Sequence, residues 1–462
     1  MRLFVEYVHQ FGRFQHNARL YLINNVLTGV TTGILLVLYN LYLVSLGYGA
    51  DFIGAVLFVG TLGAGLAIFP AGICVDRFSG KAILIYSNLL IGLAGIGQIL
   101  FRQPLPLLAS AFIAGIGFAF ILVINAPFLT ANSTPDERPQ LFSLNIMLGL
   151  VTLVLGEVLG GALPGWFRAS SWLMGSLPSW ISFWLAHQPG PRSYQLALLF
   201  AGIISGPGLI PLFMMSKDRP QQVPTEARKA ILQNPFPILK QWWQSIKVRT
   251  ELRRLFHSGV FLLVLVWVCI GLAAGLYVPY FNIFFVQHLG ASPALFGLVD
   301  GGANLITALL TLAAPWLALR VGRVNTMVWT RVISIPLLIT IGLTNILSLA
   351  AILYLFRQGL SDMAVGILQV FSMEVVAKEH RGLANSSYQA SNQVAAALTA
   401  PIGGLMIVHL GYPPVFLLGA FCLLLASGIL WWKFGRGREK RQQIDDGAEP
   451  SQHVEEPSIR AQ

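Results

Sequence analysis

The sequence predicts an all-α polytopic membrane protein, with twelve transmembrane helices arranged as two parallel-related six-helix bundles. Three observations predict it. Of 462 residues, 55% are hydrophobic and 11% charged, against about 25% charged in an ordinary soluble domain. Twelve separate runs are apolar and long enough to cross a bilayer, which takes about 20 residues because hydrocarbon offers the backbone no water. The chain also matches itself at a single offset, half against half.

The spans read 21–45, 52–74, 82–101, 105–130, 141–165, 194–215, 258–287, 294–319, 326–343, 346–373, 384–410 and 414–432. The stretch from Met1 to Asn17 carries Arg2, Glu6 and Arg13 among scattered apolar residues. It lacks the compact apolar stretch and small-residue cleavage site of a secretory signal, so the first span is read as retained. Cys74, Cys269 and Cys422 lie inside apolar runs, which excludes a disulfide scaffold and a tetrahedral cysteine cage. The eight histidines have no ligand spacing, and no glycine-rich loop ends in Gly-Lys-Ser or Gly-Lys-Thr. Neither a metal, a cofactor nor direct nucleotide hydrolysis is expected.

A formal net charge of +11 raises nucleic acid or anionic lipid as partners. The distribution decides. Twelve spans put both termini on one face, and that face with its connections holds 25 of the 30 Lys and Arg residues. The other face holds Arg102, Arg168 and Arg192, and Arg331 and Arg357 fall within spans. The bias toward positive cytoplasmic loops then places both termini in the cytoplasm of a plasma (inner) membrane. The basic excess is topological, and nucleic acid is not required as a partner.

The repeat has an offset of 243 across five spans. Leu46-Gly47 falls on Leu289-Gly290, Gly54 on Gly297, Arg77 on Arg320, Phe128 on Phe371, Arg138 on Arg381, Ser143 on Ser386, and Gly160-Gly161 on Gly403-Gly404. After the fifth span the offset drops to 218, aligning Tyr194 with Tyr412, so the first half carries a 25-residue insertion within about 166–193. The chain therefore divides into a cytoplasmic 1–20, a first bundle 21–216, a cytoplasmic linker 217–257, a second bundle 258–434 and a disordered tail 435–462. Two equally oriented halves joined by a linker imply a parallel repeat about an axis along the membrane normal.

After the second span the chain reads Gly72-Ile-Cys-Val-Asp76-Arg77-Phe-Ser79-Gly80-Lys81, with a degenerate copy from Pro315 through Arg320-Val-Gly322-Arg323. This resembles the signature loop of the major facilitator superfamily, with Ser79 where the family usually has Gly and Gly80 where it has a basic residue. Pro135-Asp-Glu-Arg138, recurring as Glu379-His-Arg381, is a further family-like element, and the resemblance covers residues 20–434. It implies a secondary active transporter, not an enzyme, which moves a small organic solute by alternating access, coupled to a proton, as a monomer. It leaves export or uptake open. A second class of function is a non-transporting receptor or scaffold that binds a ligand in the central cavity. The resemblance also implies a cytoplasmic gate built from Gly72, Asp76, Arg77, Lys81, Arg138, Arg320, Arg323 and Arg381. The same charges have a plain topogenic reading.

Polar groups within spans are costly in hydrocarbon and are the candidates for binding substrate or ion. Asp300, Asn304, Thr307 and Thr311 recur at helical period on the eighth span, where the first half has Leu57, Thr61, Ala64 and Ile68. The stripe faces either a cavity or a neighbouring helix. Tyr354, Arg357, Gln358, Ser361 and Asp362 crowd the middle of the tenth span. Arg357 and Asp362 are about 140° apart around a helix, so a partner on another helix suits them better. Arg357 is read as meeting an anionic group of the substrate, or Asp362 as carrying a proton. Glu157 stands in Gly156-Glu157-Val-Leu-Gly160-Gly161, which resembles the superfamily's antiporter motif with Glu in place of proline. It either titrates during transport or meets water near the outer end. Asn24 on the first span, Tyr280 on the seventh and Asn392 on the eleventh are further candidates, with helix packing as the alternative. Arg331 is about 10 Å from the end of its span and is read as snorkelling. The linker segment 217–256 is read as an amphipathic interfacial helix, and the insertion, with Trp166, Trp172, Trp180 and Trp184, as lying at the outer interface and capping the cavity.

Overall fold

The computed structural model describes residues 14–175, 178, 184–216, 259–376 and 381–435. Twelve helices among these are long and apolar enough to cross a membrane. They are α1 (His16–Ser45), α2 (Ala50–Arg77), α3 (Gly80–Leu100), α4 (Pro104–Ala131), α5 (Arg138–Ala169), α6 (Pro189–Ser205, continued through a 3-10 turn into Leu209–Met214), α7 (Gly259–Tyr277 and its irregular extension to His288), α8 (Pro293–Val321), α9 (Arg323–Leu343), α10 (Leu347–Glu374), α11 (Arg381–Leu410) and α12 (Tyr412–Phe434). No strand occurs among the described residues. The readings of the linker 217–256, of the tail beyond Gly435 and of Trp180 lie outside the described residues.

Local chemistry sets the ends. Pro104, Pro189 and Pro293 open α4, α6 and α8, where the missing N–H is no loss. Ser79 caps α3 by accepting from Ala82 N at 3.2 Å, and Ser292 caps α8 from Leu295 N at 3.1 Å. The departure of Ser79 from the family loop thus has a local role. Helices α1 and α6 each start five residues earlier than hydropathy alone suggests (16 against 21, 189 against 194), because polar first turns carry no apolar signal. Helix α7 is broken at Val278–Tyr280 and ends in a wide turn, Phe284–His288. Pro279 supplies no N–H to the helical ladder there.

The face where α1 begins and α12 ends is called here the terminal face. Near it lie two separate cores: one made of the first half alone, including Tyr21, Leu84, Phe128 and Leu144, and one of the second half alone, including Trp267, Met327, Met363 and Leu430. Toward the opposite face the cores are shared. One joins Ile34, Leu38 and Phe167 to Phe281, Phe296 and Phe416, and another joins Leu43, Ile53 and Leu107 to Tyr280 and Ile283. The two halves are thus fused at the opposite face and part toward the terminal face.

Two seams do the fusing. Helix α5 crosses α8, and α11 crosses α2. At the first, a Cβ on Gly161 would meet Pro293 O at 2.5 Å, with Gly297 alongside. At the second, Gly404 lies on Ala50, and a Cβ on Gly54 would meet Pro401 at 2.6 Å. These are the same positions in the repeat, since 161, 293 and 297 map to 404, 50 and 54 by the offset of 243. Side chains larger than hydrogen would hold the helices apart.

The connection between α5 and α6 contains a helical turn at Ser171–Met174, whereas Gly411 alone joins α11 to α12. Trp166, Trp172 and Trp184 are exposed, and Leu173 and Met174 rest on the shared core. Arg192 organises the segment. Buried to 4% exposure, it donates to the carbonyls of Ala186 (2.8 Å), Leu173 (3.3 Å), Gly175 (2.8 Å) and His187 (2.6 Å).

Candidate substrate and coupling site

The eighth-span stripe meets both the fifth and the tenth helix. Asn304 Nδ2 donates to Glu157 Oε1 at 2.9 Å and to Oε2 at 3.0 Å across the α5–α8 seam. One turn away, Asp300 Oδ1 accepts from the Tyr354 hydroxyl of α10 at 2.7 Å. Glu157 is 1% exposed, so it does not face water as one sequence reading held. Its position near the seam, roughly 5 Å beyond the midpoint of α5, puts a carboxylate where the two halves touch.

The tenth-helix cluster assembles on one side of α7. Arg357, 2% exposed, donates through Nη2 to the Tyr277 hydroxyl and through Nη1 to Gln358 Oε1 at 2.9 Å. Its guanidinium also lies over the rings of Tyr277 (4.8 Å) and Phe281 (5.7 Å), an attraction that desolvation strengthens. Gln358 Nε2 in turn donates to Asp362 Oδ2 at 2.9 Å. Arg357 and Asp362 are therefore linked through an amide rather than paired, as their angular separation on the helix requires. Tyr277 lies on the seventh span three residues before the candidate Tyr280. Its contact with Arg357 spans 80 positions, and no local pattern announces it.

Arg331 corrects the snorkelling expectation. It is 0% exposed, set where α9 packs on α10 and α12. None of its three guanidinium nitrogens has a hydrogen-bond partner, nor does Arg357 Nε. It lies within electrostatic reach of the Tyr277 hydroxyl. Length would have let the side chain reach the interface; the helix face it occupies points into the bundle instead.

Other candidates fall elsewhere. Asn24 is buried between α1 and α6, its Oδ1 beside Gly208. Tyr280 donates to Ala400 O at the α2–α11 seam. Asn392 Nδ2 donates to Trp267 O at 3.1 Å between α11 and α7. Tyr280 and Asn392 thus bond the backbone of a neighbouring helix, whereas Asn24 Oδ1 is buried with no hydrogen-bond partner among the described residues. A third link between the halves, absent from the sequence reading, joins Asn40 Nδ2 to Pro279 O at 2.7 Å, where the broken α7 exposes a carbonyl. Asn282 returns a bond to Val37 O at 3.2 Å.

At the terminal face, Lys81 donates to the carbonyls of Phe213 and Met215, and Arg138 Nη2 to Thr130 O at 3.3 Å. Arg320 stacks over Trp316 at 4.2 Å, and Arg323 pairs with Glu374. Each of these contacts stays within one half. Arg77 is exposed and Gly72 half-buried with open space beside it; the side chains of Asp76 and Arg381 lie outside the described residues.

Comparisons with known proteins follow the same architecture. The family model of the Major Facilitator Superfamily matches residues 21–355 and 263–460. No curated protein matches the sequence. Among solved structures, a bacterial homologue of the human lysosomal transporter Spinster, inward-facing and occupied, superposes with a TM-score of 0.68 at 13% identity, covering 91% of this chain and 97% of that one. The nucleoside transporter NupG gives 0.66 at 13%, covering 91% and 100%. The D-xylose–proton symporter gives 0.62 at 16%, covering 90% and 97%. At such identities the likeness is one of fold. Together with the family match, it makes this chain an integral multi-pass membrane protein that belongs to the Major Facilitator Superfamily, a secondary transporter rather than an enzyme.

Proposed function

We propose that this protein carries a small organic solute across the plasma (inner) membrane by alternating access, coupled to a proton, as a monomer with both termini cytoplasmic. The observation that carries the reading is the pair of separate cores at the terminal face against shared cores at the opposite face. With the basic loops inside, this conformation is inward-facing. Opening the other way requires the two glycine seams to part while the loops bearing Asp76, Arg77, Lys81, Arg138, Arg320, Arg323 and Arg381 close on each other as the cytoplasmic gate. A solute shifts that equilibrium only by binding the two states differently.

The coupling reading rests on charge. Three carboxylates (Glu157, Asp300, Asp362) and two guanidiniums (Arg331, Arg357) share the middle layer, leaving one negative charge in excess when all are ionised. One proton on Glu157 or Asp300 neutralises the layer, and a neutral layer costs least to carry across hydrocarbon. The symporter among the fold relatives is a proton carrier by name.

The test is uptake into proteoliposomes from a panel of solutes, with and without an imposed pH gradient. Accumulation that a protonophore abolishes supports the proposal. Flux that ignores the gradient removes the coupling, and absence of flux for every solute favours a receptor. Impermeant labelling of Met1 and Gln462 from the cytoplasmic side checks orientation.

A further inference from the structure

Among the described residues, no ion pair joins Glu157, Asp300, Asp362, Arg331 or Arg357, although Arg357 and Asp362 lie five residues apart on one helix. Each carboxylate instead accepts from a neutral donor: Glu157 from Asn304, Asp300 from Tyr354, and Asp362 from Gln358. Arg357 rests on two neutral acceptors, the Tyr277 hydroxyl and Gln358. Arg331 rests on none, with all three nitrogens buried and unpartnered. A guanidinium does not shed its proton in a protein, and an uncompensated buried charge costs several kcal/mol. Arg357 bonds the Tyr277 hydroxyl, and the Arg331 guanidinium lies within electrostatic reach of the same group without bonding it.

We infer that Arg331, Tyr277 and Arg357 form a binding site for an organic anion, whose oxyanion head takes the place of the Tyr277 hydroxyl on Arg357 and supplies the acceptor that Arg331 lacks. Guanidinium forks match carboxylate and phosphate geometry. The rings beside them supply a bed for an apolar body: Phe281 lies 5.6 Å from Tyr277, and Phe416 lies 6.0 Å from it. Gln358 and Asp362 are half-buried on α10 within five residues of Arg357. Asp362 holds the opposite charge but is tied to Gln358, so it screens the site without filling it. The inference names the substrate class of the proposed carrier and rests on that reading.

The experiment is thermal stabilisation of the full-length purified protein at constant ionic strength by benzoate and phenyl phosphate, with benzamide as the neutral match. The anions are expected to raise the melting temperature more than benzamide does, and Arg331→Met and Arg357→Met to weaken the anions at least tenfold. Arg331→Met without ligand is expected to melt no lower than wild type, because it removes a buried charge that has no hydrogen-bond partner among the described residues; a merely structural arginine would give the reverse. Tyr277→Phe, which removes only the placeholder oxygen, is expected to bind benzoate more tightly, and it keeps the inference testable should an arginine variant fail to fold. Equal stabilisation by benzamide overturns the inference, as does an anion response that survives Arg331→Met or disappears in Tyr277→Phe. Repeating the measurement in nanodiscs separates sources of the oxyanion: competition by phosphatidylglycerol but not phosphatidylcholine assigns the head group to a lipid, and its absence assigns it to a soluble solute. A protein that transports a neutral solute without any anion response keeps the transport reading and loses this one.

Discussion

The amide nitrogen of Asn304 reaches both carboxylate oxygens of Glu157, at 2.9 and 3.0 Å, from the other six-helix half. The bond lies one turn of α5 from Gly161, another close approach of α5 to α8. The equivalent seam has no such polar clasp, because the repeat puts Thr61 and Ala400 in those places; there the Tyr280 hydroxyl bonds the Ala400 carbonyl instead. One seam is thus held by a titratable group and the other by backbone. In the proposed cycle, opening the opposite face exposes the carboxylate to water, which ties its protonation to the motion.

Glu157→Gln retains an oxygen for Asn304 while removing the charge. Uptake driven by a pH gradient is expected to fall about tenfold or more, with solute counterflow retained. Counterflow and gradient-driven uptake measured side by side in proteoliposomes check it. Equal loss of both would make Glu157 a packing group.

Gly161→Val or Gly404→Val places carbon where backbone of the other half now lies. Either change is expected to splay the halves at the opposite face and cut flux at least tenfold, while each half keeps its own terminal-face core. Distances between spin labels on the two halves at the opposite face read the splaying directly. The two substitutions should act alike, since they are the same position of the repeat.

Arg192→Ala strips four carbonyls of their donor at once. With about 1–3 kcal/mol for a buried polar group left unmade, the melting temperature should drop by several degrees, and limited proteolysis should begin between α5 and α6. Arg192→Lys rescues little, since one ammonium cannot spread over four acceptors.

Arg323 and Glu374 form an ion pair with side chains 48% and 44% exposed. Glu374→Gln is expected to change stability by less than about 1 kcal/mol, and chemical denaturation in detergent at low and high salt checks it. A larger, salt-insensitive loss would mean the pair holds α9 against α10 more firmly than its exposure implies.

The periodicity of the Asp300–Asn304 stripe and the crowding at Arg357 are visible in the sequence because a helix fixes which neighbours share a face. The partners are not. Glu157 meets Asn304 over 147 positions, and Tyr277 meets Arg357 over 80. Only the packing of α5 on α8, and of α10 beside α7, brings them together. The sequence reading of Asn24, Tyr280 and Asn392 as candidates rested on polarity alone, and a hydroxyl or amide bonding a neighbouring backbone, as in Tyr280 and Asn392, is indistinguishable from one lining a cavity until the neighbour is placed.

By itself, the sequence determined twelve helices, their boundaries to within a few residues and the duplication that makes 161 and 404 equivalent, because lipid forces every span to satisfy its own backbone and leaves hydropathy as a direct record of burial. Only the tertiary structure decided which face of the molecule is closed, which carboxylate crosses the seam, and that Arg331 points inward rather than to the interface. Those outcomes depend on how a helix is rotated about its axis against its neighbours, and within hydrocarbon an apolar flank favours no rotation over another; close contacts between distant side chains do.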